Sequence, residues 1–307
     1  MCQNPACMSY PHPESTSRYT HPCANFTSRG RVLSTNAKTV AYYEQFDEWG
    51  RFDTPAGRLE FMRTLKYVLG ALEADSKVLD LGGGPGRYAI ALAERGHTLS
   101  LVDLSPKLID EAKRRVAGAG MVDRVPDIAV GQAEDLSSFP KATFDAVLAF
   151  GPFYHLIEQS GRLEAASEIM RVLRPGGLAF IAFIPRASGI AGLISRAAHS
   201  PEQVTPETME RVFADGVFIN PTESGFQNGY YPPTEELESL FAASGFDPVD
   251  VFSVRGLYFG YEQEAQSIRE NSPGTADAFE EGFEPLFRDR EVIAHCGHAL
   301  LVVRKPE

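Results

Sequence analysis

Short apolar runs and amphipathic stretches alternate along the middle of this chain. Residues 78–81, 99–103, 127–130, 144–150 and 178–184 are runs of the kind that form buried strands. Between them, apolar residues recur three and four apart, the spacing of helices that bury one face. Residues 87–95 carry Ala89, Ile90, Leu92 and Ala93 on such a face and stop at Gly96. Ser105-Pro106 supplies a cap and a first-position proline for a helix running to about Val116. Residues 158–173 set Leu163, Ala166, Ile169, Met170 and Leu173 on one face and end at Pro175-Gly176-Gly177. Two further helices precede the first strand: 38–49, with an aromatic stripe of Tyr42, Phe46 and Trp49, and 55–72. Beyond Ile184 the pattern breaks into helical pieces (190–198, 206–213) and a loop through Asn220-Pro221 and Asn228-Gly229. It resumes with a helix over 234–244 and a strand over 249–254, passes an irregular acidic stretch (255–291), and closes with a strand over 292–303. Such alternation predicts a parallel sheet with helices on both faces, joined by right-handed crossovers. Ligands in such sheets sit beyond the carboxyl ends of the strands.

One stretch carries most of the chemistry. The first apolar run opens into Gly82, Gly83, Gly84, Pro85 and Gly86, a turn almost without side chains, and a helix follows at once. Ligand atoms can touch such a backbone, and the first helical amides face them. The next run ends in Asp103, where a carboxylate can accept hydrogen bonds from both hydroxyls of a ribose. A dinucleotide fingerprint needs glycine at the sixth position of the turn, and Arg87 stands there. The spacing suits a compact zwitterion beside adenosine better than a pyrophosphate.

The run Asp80-x-Gly82-x-Gly84-x-Gly86, followed by Val102-Asp103-Leu104-Ser105-Pro106, resembles the class I methyltransferases that use S-adenosylmethionine. The resemblance implies a Rossmann-like, doubly wound, mostly parallel α/β sheet of seven strands with the last antiparallel. The helices within 37–73 would form a lid, and the insertions 185–232 and 255–291 a cap. It implies that Gly82, Gly84 and Gly86 cradle the cofactor and that Asp80 faces the methionine ammonium. Asp103 would hold the ribose, Leu104 would pack on the adenine face, Ala133 would offer a backbone amide, and Glu134 or Asp135 would meet the adenine amino group with a carboxylate. Tyr43, and then Arg51, would reach the ligand from the lid, and Phe150 from the end of the fourth strand. Phe150-Gly151-Pro152-Phe153-Tyr154-His155 would face the methyl group, with Phe153 in the core. His155, whose ordinary pKa is close to neutral, is the candidate general base; local hydrogen bonding alone is its other reading. Tyr154 would orient the acceptor or line the sulfonium, whose positive charge favours an aromatic face. Gly151-Pro152-Phe153-Tyr154-His155-Leu156, Arg174-Pro175-Gly176-Gly177 and the stretch 215–221 resemble a branch that tailors natural products and peptides.

Composition narrows the acceptor. The chain has 307 residues and a net charge of −12, concentrated beyond residue 37. Such a surface repels phosphate backbones and argues against nucleic acid, which leaves a small molecule or short peptide as substrate. No apolar run has the length of a membrane span or the form of a signal-peptide core. Cys2, Cys7 and Cys23 lie in the first 36 residues and Cys296 lies in the body, thiol usage that fits the cytoplasm. Residues 1–36, polar and without apolar period, are expected to be disordered, with a targeting role as a minority reading. Their cysteines, with His12 and His21, match no zinc spacing, and no metal is expected. The expected reaction is methyl transfer to an N or O nucleophile. The alternative is cofactor binding without catalysis, which would hold if Tyr154, His155 and Tyr231 lined no cavity. A nicotinamide enzyme is disfavoured by the glycine spacing, and oligomeric state is left open.

Overall fold

A computed structural model describes residues 35–307; the expectations for the tail, including its cysteines and histidines, lie outside them. The chain begins with α1 (Thr35–Gln45), a 3₁₀ turn (Gly50–Asp53) and α2 (Pro55–Ala71). It then alternates through β1 (Lys77–Leu81), α3 (Arg87–Ala93), β2 (Thr98–Asp103), α4 (Pro106–Gly118) and β3 (Asp127–Val130). After β4 (Phe144–Ala149) come α5 (Gln159–Val172) and β5 (Leu173–Phe183). The first insertion holds α6 (Arg186–His199), α7 (Pro206–Asp215) and a hairpin of β6 (Val217–Ile219) and β7 (Asn228–Tyr230). α8 (Thr234–Ala243) and β8 (Asp247–Ser253) follow. The second insertion is α9 (Glu262–Asn271) and α10 (Pro273–Phe283), before α11 (Arg290–Ala294) and β9 (Ala299–Arg304).

The main sheet has seven strands in the order β3-β2-β1-β4-β5-β9-β8, and β9 runs antiparallel to both neighbours. The order reverses between β1 and β4, so the carboxyl ends of these two strands open a crevice. Alternation along each strand feeds one core per face. Val78, Leu99, Leu101, Leu148 and Phe180 pack with Val68 of α2, Leu92 of α3 and Ile109 of α4. Leu79, Leu81, Val102, Val147 and Ile181 pack with Ala166 and Ile169 of α5 and Phe241 of α8. A separate small core of Leu193, Val212, Phe218 and Tyr231 holds the first insertion together.

Four details differ from the sequence expectation. Leu163 is 42% exposed, while Arg162 beside it is 5% exposed. Arg162 donates to the carbonyls of Leu156 and Ile157 and lies 3.6 Å from the centre of the Tyr230 ring, so a charged group takes the inward position. The stretch 292–303 is not one strand: Asp289 caps α11 by accepting from Glu291 N, and β9 begins only at Ala299. The loop through Asn228 contains the β6–β7 hairpin. The aromatic stripe of the first helix is split, because α1 ends at Gln45. Tyr42 stacks on Phe46, whereas Trp49 lies between the guanidiniums of Arg87 and Arg115. No helix among the described residues is long and apolar enough to cross a membrane.

Candidate active site

The crevice beyond β1 and β4 is a cleft of about 1010 Å³, including its open mouth. Its floor is the glycine turn. Gly82 N and Gly83 N both donate to Val102 O, which bends the chain sharply off β1. A Cβ on Gly82 would sit 2.8 Å from Pro152 Cδ, and one on Gly83 2.7 Å from Asp80 Cγ. Side chains are therefore excluded at both positions. Gly84 adopts φ +55° and donates its amide to Asp103 Oδ2 at 2.9 Å, which ties the turn to the end of β2. Asp103 Oδ1 accepts from Ser105 N at 2.8 Å. Burial pushes its carboxyl up to about 6, against the amides of Ser105 and Gly84, which favour the charged form. Gly86 does not line the cleft. It caps α3 in a left-handed conformation and faces Leu101 and Ala112, so its role is close packing under the turn.

Asp80 lies at the bottom of the cleft, 1% exposed. Burial, then the neighbouring Asp103, push its carboxyl up to about 7, although Ala89 N donates to it. Its Oδ2 has no hydrogen-bond partner. A buried, unpartnered carboxylate oxygen at the edge of a bare backbone turn is a place for a cationic group of a ligand.

One wall carries Leu104, Ala133 and Glu134. Glu134 is half-buried, and burial raises its carboxyl above the ordinary value. Asp135, offered above as the alternative, lies outside the cleft: it is exposed and accepts from Ser137 N. Two neighbouring residues of opposite burial cannot be told apart by composition.

The roof is α1. Asn36, Val40 and Tyr43 line the cleft, Asn36 Nδ2 donates to Gln132 Oε1 at 3.3 Å, and Lys107 Nζ donates to Glu44 O at 2.7 Å near the helix end. Glu48 and Arg51 complete that side as an ion pair at 2.7 Å. Sequence reasoning missed Asn36 and Glu48; the i,i+3 acid–base pair just after an aromatic helix was the available signal.

Phe150, Tyr154 and His155 line the far end, with Phe153 in the core at 1% exposure. Tyr231 lies outside the cleft, packed on Phe218. His155 is more committed than a near-neutral free base. Nδ1 lies 3.2 Å from the Asn228 carbonyl, which can only accept, so Nδ1 carries the proton. Nε2 is then the acceptor for the Tyr43 hydroxyl at 2.9 Å. Burial pulls the imidazole down to about 4. His155 is therefore neutral, with both ring nitrogens engaged, and bolts α1 to the β6–β7 hairpin.

Comparison with known proteins places the chain in a family. A methyltransferase domain model matches residues 78–177, which run from β1 into the first residues of β5. The chain is 31% identical over 232 residues to the demethylmenaquinone methyltransferase of Thermus thermophilus, covering 68% of this chain and 96% of that enzyme. It is 36% identical over 107 residues to the tRNA 5-carboxymethoxyuridine methyltransferase of Escherichia coli, which is 35% of this chain but only 40% of that enzyme's length. The fold is shared with the 1,6-didemethyltoxoflavin-N1-methyltransferase of Burkholderia thailandensis, solved with S-adenosylhomocysteine (TM-score 0.53, 18% identity, covering 89% of this chain and 87% of that one). This chain belongs to the S-adenosylmethionine-dependent methyltransferases.

The residues present fit that family's cofactor. The glycine turn leaves no room for side chains, Asp80 Oδ2 lacks a partner, and Asp103 stands within hydrogen-bond distance of the turn.

Proposed function

We propose that this protein transfers a methyl group to an N or O nucleophile of a small molecule or short peptide. The observation that carries the proposal is the meeting of the bare turn, unpartnered Asp80 Oδ2 and Asp103 in a cleft whose far end is walled by Tyr154 and Phe150. S-adenosylmethionine supplies, when bound, a methyl group activated by its sulfonium. The protein's part is then to place an acceptor in line and keep water out. Asp80 Oδ2 takes the cofactor ammonium, Asp103 the ribose hydroxyls, Leu104 the adenine face, and Ala133 (by its backbone amide) and Glu134 (by its carboxylate) the adenine edge. Phe150 and Tyr154 offer aromatic faces to a positively charged centre. α1 is the lid, held by its contacts to Gln132, Lys107 and His155. His155 positions Tyr43 and does not itself receive the acceptor's proton.

The catalytic reading is preferred over binding without turnover because Tyr154 and His155 line the cleft, although Tyr231 does not. The net charge of −12 favours a neutral or cationic acceptor over a nucleic acid. Calorimetry with S-adenosylhomocysteine tests the cofactor half: no binding by the wild type, or full binding by Asp103→Ala, ends the proposal. Mass spectrometry of a metabolite extract incubated with methyl-labelled cofactor tests the acceptor half. Label found in RNA but in no small molecule or peptide would reverse the substrate assignment.

A further inference from the structure

A second, small cavity adjoins the cleft and shares Arg51, Tyr88 and Phe150 with it. Two groups that the cofactor reading leaves unused line it, Glu60 of α2 and His298 just before β9. We propose, resting on the methyltransferase reading, that this cavity receives the acceptor's O–H or N–H arm and that His298, oriented by Glu60, is the base that takes its proton.

The geometry is that of an oriented imidazole. Glu60 Oε2 lies 3.0 Å from His298 Nδ1, and a carboxylate can only accept, so Nδ1 carries the proton. That leaves Nε2 with its lone pair, and no described side chain bonds it. A carboxylate that sets the tautomer and steadies the imidazolium is a recurrent way to make histidine a base. Burial alone would raise the Glu60 carboxyl, yet His298, Arg51 and Arg255 hold it well below the usual range, so it stays ionised. Arg51 Nη1 occupies Glu60 Oε1 at 2.8 Å, which keeps Oε2 turned toward His298.

Charged groups surround the pair. Facing the pair are Glu48 and Arg51 beside the lid, Arg255 after β8 with its partner Glu262, and the Tyr154 ring 5.6 Å from the imidazole. Glu60, Glu48 and Glu262 thus stand with the guanidiniums of Arg51 and Arg255 around the imidazole. The backbone is held as well. His298 O accepts from Val254 N at 3.0 Å, and Gly297 N donates to Ser188 Oγ at 3.0 Å. Gly297 has φ +81°, and a Cβ there would meet Arg255 Nη2 at 2.0 Å. His298 also differs from His155, whose two nitrogens are both spent.

The step balances. The acceptor's lone pair bonds to the methyl carbon as the carbon–sulfur bond breaks and its electrons return to sulfur. The acceptor's proton passes to His298 Nε2 and then to water. The acceptor class is a compact hydroxyl or amine that loses a proton on methylation.

Nitrogen-15 NMR of histidine-labelled full-length protein provides a readout independent of turnover. The expected result is an Nδ1–H tautomer for His298 in the wild type and a mixture in Glu60→Gln. An Nε2–H tautomer in the wild type, or no change in Glu60→Gln, overturns the proposal. Turnover is read with methyl-labelled cofactor on a panel of phenols and primary amines and on a metabolite extract. Where the wild type turns over, His298→Ala should lose about 100-fold or more, a typical general-base effect. Its affinity for S-adenosylhomocysteine should stay within about twofold, which also shows that it folds. Added imidazole should restore rate, and the loss of rate on acidification should disappear with the side chain. A His298→Ala variant with wild-type rate and pH profile refutes the dyad. Failure of the wild type to bind S-adenosylhomocysteine refutes the family-based reading instead.

Discussion

The unpartnered carboxylate of Asp80 should make cofactor binding strongly dependent on pH. Burial and Asp103 push its carboxyl up to about 7 in the free protein, so near neutrality a large share of molecules hold a proton there. An ammonium beside Oδ2 favours the charged form, and binding must expel that proton. A group with a value near 7 when free and below 5 when bound weakens affinity by about 30-fold between pH 8 and pH 5.5. Calorimetry with S-adenosylhomocysteine at the two pH values gives the ratio. Repeating it near pH 7 in buffers of different ionisation enthalpy counts the proton released. Asp80→Asn should bind weakly at both values, with a flattened dependence. The same shift acts on stability with a definite sign. The folded free protein holds a proton that the unfolded chain has already lost. Stability from this group is therefore full below the ordinary carboxylate value and is lost as pH rises through about 4 to about 7. Asp80→Asn removes that slope. An affinity equal at both pH values, with no buffer dependence of the heat, would refute the placement of the ammonium at Asp80.

Two further outcomes follow from packing. Gly83→Ala puts a Cβ 2.7 Å from Asp80 Cγ and 2.9 Å from Leu101 Cγ, so it should lower the melting temperature and reduce S-adenosylhomocysteine affinity at least about tenfold. Restored affinity in Gly83→Ala would show that the turn relaxes and is not a rigid cradle. Arg162→Ala strands the carbonyls of Leu156 and Ile157 and should cost roughly 2–4 kcal/mol in urea unfolding. Leu163→Ala, at an exposed position, should change stability by less than about 0.5 kcal/mol; the reverse ranking would restore Leu163 to the core.

The strands and their order of appearance were legible because buried parallel strands must be short apolar runs, and β1 to β3 lie within a residue of the runs seen in the sequence. The glycine turn and Asp103 were legible for a related reason. Neighbouring parallel strands end side by side, so the turn after β1 and the acid that ends β2 meet, and Gly84 N donates to Asp103 Oδ2. Burial within a turn of helix was not legible. Arg162 and Leu163 exchange their expected places because two carbonyls and the Tyr230 ring, contributed by other segments, receive the guanidinium. The surroundings of the histidines were hidden in the same way. His155 stands next to Tyr154 in sequence and suggested a base, but the Tyr43 hydroxyl and the Asn228 carbonyl, from distant parts of the chain, lie against its two nitrogens. His298 gave no local sign, because the carboxylate that orients it lies 238 residues away. Local pattern determines what a segment wants to be. Which polar atoms remain free to react is settled only when the folded chain brings distant donors and acceptors together, since hydrogen-bond valences are filled by neighbours in space.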